Sequence, residues 1–375
     1  MAAVSSQTLT RRELLGQAAR SAAAAGASAA FWSARGRTQG RPFYQGKTIE
    51  VIVPFAPGGA ADVGAQFVAP FLQKYIPGNP VVTVRHMPGG GSVLGANWFY
   101  ANAKPDGLMM LCTTSSTSFP YMLGQQGVQY DLLKLRPALT QAFGPVVYAS
   151  PGTGIRRPAD LLRPRVPLIY GGIAATGSDL PVLLSFELLR LPIRTVLGFT
   201  GRGPVRIAFE RGEVNVDFQF TQVYLTQVRP LVEAGKAVPL YTGGSPNAQG
   251  EYVQRDPVVS DLPSTYEVYQ ELYGRAPSGV EWQAYQAAAA LTFQFGLIWW
   301  MHGSTPPEAL EAIAGAVERI NRDPEFVERG KQVTGGYPLR VGEREEGHIR
   351  EALRPPQPVV DYLERLLREK YNVRV

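Results

Sequence analysis

The sequence predicts an α/β chain of two lobes, each a mostly parallel sheet flanked by helices. Three observations carry this. Apolar, β-branched runs alternate with stretches of helical periodicity. Glycine-rich turns stand where a strand hands over to a helix. The length of 375 residues exceeds what one compact core usually holds.

The first run of elements begins after Tyr44. Residues 48–55 (TIEVIVPF) read as a strand, and 56–61 (APGGAA) as a turn. Residues 62–75 read as a helix, with Val63, Phe67, Val68, Phe71 and Leu72 on one face and Pro70 expected to kink or shorten it. A second strand over 81–84 leads to the turn Met87-Pro88-Gly89-Gly90-Gly91, and Ser92 is placed to cap the helix that follows to 103. Pro105-Asp106-Gly107 is a turn and 108–113 a third strand. Such a βαβαβ unit implies parallel strands with right-handed crossovers.

The second run repeats the pattern. Strands are expected at 145–149, 166–170, 214–218 and 238–242, a short apolar segment at 195–199, and helices at 178–191, 203–212 and 222–235, with Gly235 as a C-cap. Residues 245–290 read as less regular. A very apolar strand at 295–301 precedes Ser304-Thr305-Pro306-Pro307-Glu308, where Thr305 is expected as N-cap with Glu308 closing a capping box. Residues 358–370 form a last amphipathic helix.

The N-terminus reads as an export signal over 1–36. Arg11-Arg12 followed by Leu14-Leu15 and an alanine-rich stretch resembles a twin-arginine leader, which would place the protein in the periplasm, released or tethered by an uncleaved leader. Half of the net charge of +6 sits in those residues, and no polybasic run follows, so nucleic acid is not an expected partner. The single cysteine, Cys112, excludes an internal disulfide and a thiolate metal cluster, and its apolar surroundings suggest burial.

Catalytic patterns are absent. His86, His302 and His348 are isolated, no G-x-S-x-G occurs, and Gly46-Lys47-Thr48 precedes a strand where a P-loop would follow one. No metal or cofactor is expected. The glycine turns suggest binding instead: in an open α/β sheet ligands sit at the carboxyl ends of strands, where helix starts offer unpaired N–H groups to an anion.

The motifs themselves say more. Tyr44-Gln45-Gly46-Lys47-Thr48-Ile49 with Val53-Pro54-Phe55-Ala56-Pro57-Gly58-Gly59, Met87-Pro88-Gly89-Gly90-Gly91-Ser92 and Lys104-Pro105-Asp106-Gly107 resemble the Bug family, the TctC-type receptors of tripartite tricarboxylate transporters. Gly201-x-Gly203-Pro204, Arg211-Gly212-Glu213-Val214 and Gly303-Ser304-Thr305-Pro306 are looser matches. The resemblance implies a type II, Venus-flytrap periplasmic-binding-protein fold, with lobe I at 44–142 and 240–375, lobe II at 143–239, and crossings near Phe143 and Leu240. It implies a monomer that captures a small carboxylate and delivers it to membrane transporter subunits. The alternatives are an envelope enzyme acting on a small acid in the same cleft, or a ligand-sensing partner of a signalling protein.

The expected ligand-binding residues follow from both arguments. Lobe I supplies Phe55, Pro57, Gly58, Gly59, Ala60 and Asp62, with Gly90 and Ser115 beside them. Lobe II supplies Ala175, Thr176, Gly177 and Ser178, with Phe199, Arg202 and Asp217. Alanines replace the Ser and Gly usual in the second loop, and Pro181 stands where the family usually has His. Arg202 could pair with an acidic ligand or lie solvated.

Overall fold

The computed structural model describes residues 41–375, and the leader expected at 1–36 lies outside them. Strands β1 (Thr48–Val53), β2 (Val81–His86) and β3 (Met109–Thr113) alternate with helices α1 (Ala60–Tyr75) and α2 (Val93–Asn102), as the periodicity predicts. After β3 come α3 (Ser115–Met122) and β4 (Arg136–Gln141). β1 pairs in parallel with β2 and with β3. Helix α1 runs through Pro70, because the buried face containing Phe67, Val68, Phe71 and Leu72 holds it against the sheet and offsets the lost backbone bond.

The chain then leaves this sheet. β4 ends at Gln141 and β5 (Pro145–Ala149) begins a second sheet, with Ala142, Phe143 and Gly144 between them. That sheet continues through β6 (Leu168–Gly171), α4 (Leu180–Leu188), β7 (Ile193–Val196), α5 (Arg202–Glu210), β8 (Val216–Phe220) and β9 (Val238–Thr242). Its order is β7-β6-β8-β5-β9. β9 pairs with β5 through Thr242, so the second sheet extends past the boundary at 239 that the resemblance implied.

A short antiparallel ladder, β10 (Ser245–Pro246) with β11 (Tyr252–Gln254), leads to two helices, α6 (Thr265–Tyr273) and α7 (Gly279–Phe293). This corrects the irregular reading of 245–290. Ser264 and Glu267 form a reciprocal capping box that starts α6, and α7 packs between α4 of the second sheet and the C-terminal helix. β12 (Leu297–Met301), α8 (Pro307–Ile320), α9 (Pro324–Val333), β13 (Leu339–Val341), α10 (Gly342–Ala352) and α11 (Gln357–Tyr371) return to the first sheet.

The first sheet has the order β13-β4-β12-β3-β1-β2. Both sheets are mixed rather than mostly parallel. β12 runs antiparallel to β3 and β4, and β5 runs antiparallel to β8 and β9, because each enters its sheet from a segment that arrives at the other sheet end. Trp299, Trp300 and Cys112 are buried in the first sheet's core, and burial raises the Cys112 thiol pKa.

Two capping expectations fail. Ser92 adopts a left-handed backbone (φ 102°), and its hydroxyl bonds Thr117 Oγ1 at 2.9 Å and the Ser116 carbonyl at 3.2 Å instead of capping α2. Thr305 does not cap α8. Pro306, preceding Pro307, is forced extended (ψ 140°), so the helix starts one residue later than the motif suggests.

Candidate functional site

The carboxyl ends of strands from both sheets meet at one cavity. From the first sheet, Phe55 and Ala56 follow β1, and Gly59, Ala60 and Ala61 form the N-cap and first turn of α1. Thr114, N-cap of α3, follows β3. From the second sheet, Ile173 follows β6, Ser178 immediately precedes the N-cap of α4, Arg202 opens α5, and Phe220 ends β8. Thus the starts of four helices face one space of about 290 Å³, part of it open to solvent. The first N–H groups of a helix have no partner within it, so each start favours negative charge.

The two halves touch. Gly58 (φ 88°) lies against Gly203, whose added Cβ would come within 2.8 Å of the Pro57 carbonyl. The Ser178 N–H donates to Ser116 Oγ at 2.8 Å, and Thr176 Oγ1 bonds Gln125 Oε1 at 2.6 Å. Gly91 faces Ala174 at the rim.

The expected residues fall into three groups. Phe55, Gly59, Ala60, Ser178 and Arg202 line the cavity. Pro57, Gly58, Gly177 and Thr176 make the contacts between the halves. The rest are set back from it. The Asp62 carboxylate accepts from the Gly58 N–H and bonds His86 Nε2, both at 2.8 Å. Gly90 packs on Val93 and Leu94, and Phe199 joins the second sheet's core with its N–H on the Gly172 carbonyl. Ser115 is buried beside Thr114 and its hydroxyl lacks a protein partner. Ala175 is buried in the second loop.

Arg202 is neither solvated nor free to clamp a ligand. It is 4% exposed, and one terminal nitrogen donates to Asp179 Oδ1 at 2.9 Å and to the Gly171 carbonyl at 3.3 Å. The other ion-pairs with Asp217 and donates to the Phe218 carbonyl at 2.6 Å. Its Cζ lies over the Phe218 ring, 4.0 Å from the centroid. Burial pulls its pKa down, but Asp217, Tyr170 and Asp179 outweigh that and hold it charged. Asp217, fully buried, also receives the Tyr148 hydroxyl and the Gln219 amide.

Sequence reasoning missed Thr114, Ile173, Phe220 and above all Asp179. The signal for Asp179 was present: an acid directly after Gly177-Ser178, where a helix begins. It does not cap its own helix. It reaches back, and the N–H groups of Ile173 and Ala174 donate to its Oδ2 at 3.0 and 3.2 Å.

No family model matches the chain. Over 193 residues, half of this chain, it is 28% identical to Protein BugT of Bordetella pertussis, spanning 58% of that protein. Periplasmic binding protein BugD superposes with a TM-score of 0.64 at 18% identity, covering 88% of this chain and 99% of that one. The chain is similar to BugT in sequence and to BugD in fold. MatC from Rhodopseudomonas palustris with bound malate shares the Bug fold (TM-score 0.62, 20% identity, 85% of this chain and 99% of that one). So does an R. palustris protein with adipate (TM-score 0.64, 19% identity, 85% and 97%). The resemblance read from the sequence motifs is therefore borne out.

Proposed function

We propose that this chain is an extracytoplasmic solute receptor, acting in the periplasm and not as an enzyme. It captures a small carboxylate between its lobes and presents it to a tripartite tricarboxylate-type membrane transporter. The observation that carries this reading is the start of α1, without a side-chain cap, on a cavity between two sheets. That arrangement attracts an anion without a dedicated cationic side chain. Relatives in fold crystallised with malate and adipate support the same ligand class. Among the described residues, no group of His, Cys, Asp and Glu is placed to hold a metal, and no helix is long and apolar enough to cross a membrane.

In this mechanism the ligand carboxylate docks on the first turn of α1, at Gly59–Ala61. The second lobe then swings in, and the contacts at Gly203, Ser178 and Thr176 form. Closure is a population shift driven by the ligand's better contacts in the closed state.

A thermal-shift screen of the full chain against small carboxylates tests the reading. An acid at about 100 times its Kd adds roughly 2.7 kcal/mol of stability. Gly59 has ordinary backbone (φ −97°), and a Cβ there sits 3.8 Å from the Arg202 Cβ, so Gly59→Val fills the cavity without straining the turn. The variant should keep its intrinsic stability and lose the shift. A screen in which no acid stabilises the wild type would overturn the carboxylate reading.

A further inference from the structure

Each lobe already holds a carboxylate of its own at its glycine loop, and the two are held differently. In lobe I, Asp62 takes the Gly58 N–H, one residue before the N-cap, and leaves the first turn of α1 facing the cavity. In lobe II, Asp179 sits inside the loop. It accepts from the Ile173 and Ala174 N–H groups, from the Tyr170 hydroxyl at 2.5 Å and from Arg202 at 2.9 Å. The Gly177 N–H is spent on the Ala174 carbonyl and the Ser178 N–H on Ser116 Oγ. The loop's N–H donors are thus committed within the protein, those of Ile173 and Ala174 to an internal carboxylate.

The charge count agrees. Arg202 is the one charged residue lining the cavity, and it stands against two carboxylates, Asp179 and Asp217, all three buried. One guanidinium against two carboxylates gives the cluster no formal positive surplus. A second ligand carboxylate pressed against this half would lose its water and find two like charges behind the wall. The remaining lining there is Ser178 with the apolar Ile173 and Phe220, and Phe55 stands opposite. Arg202 Nε, buried and without a protein partner, leaves one N–H donor unsatisfied beside this wall.

We propose that Asp179 is a built-in occupant of the lobe II anion loop, and that it makes this receptor select small acids with one carboxylate and an uncharged remainder over dicarboxylates. The inference rests on the receptor reading above. It sets this chain apart from the relatives in fold that carry malate and adipate, both dicarboxylates.

Calorimetric titration of the full chain with matched pairs decides it: butyrate against succinate, hexanoate against adipate, with butyramide as the neutral probe. Within a pair the monocarboxylate should bind at least about tenfold tighter, a difference of about 1.4 kcal/mol. Asp179→Ala empties the loop and frees an Arg202 nitrogen, so it should narrow that ratio several-fold. Equal or tighter binding of the dicarboxylate by wild type overturns the inference and leaves the receptor reading intact. An unchanged ratio in a folded Asp179→Ala variant overturns the role of Asp179. Should that variant not fold, the wild-type pairs alone decide selectivity. Binding of butyramide alone, or of none of these probes, would overturn the carboxylate reading and this inference with it.

Discussion

The loops after β1 and β6 have one design and opposite availability. Each runs from a buried strand through a glycine turn into a helix, and each has an aspartate near the helix start. Asp62 is the third residue of its helix, pairs with His86 and keeps 15% of its side chain exposed. Asp179 is the N-cap of its helix and is wholly buried. That shift decides which N–H groups are consumed. The first loop stays open to an anion, and the second is closed by its own. A glycine motif therefore marks where an anion can bind, and the nearest acid decides whether the place is free.

The strongest way to break this comparison is to remove the cation that the second loop is built around. Arg202→Ala leaves Asp179 and Asp217 buried without a counter-charge, and should cost about 3–5 kcal/mol in urea unfolding. Neutralising the whole cluster (Arg202→Met with Asp179→Asn and Asp217→Asn) should recover most of that loss, since the penalty comes from uncompensated charge. A loss below about 1 kcal/mol in the single variant would mean that the cluster is solvated, as surface pairs are.

Gly203→Ala sharpens the comparison at the seam between the loops. Its Cβ would lie 2.8 Å from the Pro57 carbonyl and 3.3 Å from the Gly58 backbone, so the lobes must part slightly. Unfolding stability should hold, because neither core is touched. Apparent affinity should fall by about tenfold if the closed population drops to a tenth. Equal affinity in the variant would show that Gly203 and Pro57 do not meet in the bound state.

What was legible in the sequence follows the range of the interactions. The parallel strands of lobe I, their helices and the first loop are written in local periodicity and turn chemistry, and Phe55, Gly59 and Ala60 were found that way. Burial of Cys112 was legible too, from its apolar neighbours. Residues 265–293 were misread because Tyr, Gln and Ala give weak periodicity, although Ser264 and Glu267 spell a capping box. The fate of Arg202 was out of reach. Its partners lie 23 and 15 residues away, and only the packing of α5 against β8 and the second loop brings them together. The same holds for Thr114 and Phe220, which become cavity walls only when two sheets meet.

The smallest expected effect tests whether the second loop, closed to an anion, still works as a latch. Thr176 Oγ1 bonds Gln125 Oε1 across the seam at 2.6 Å, with the hydroxyl side chain nearly buried. Thr176→Val keeps the shape and removes the bond, a change of about 0.5–1.5 kcal/mol. If the latch forms only on closure, that energy leaves the closed state alone. Ligand affinity then drops a few-fold, dissociation quickens by the same factor in stopped-flow, and urea unfolding without ligand stays unchanged. If unfolding shifts instead and affinity holds, the bond belongs to the resting protein, and the second loop contributes to stability rather than to capture.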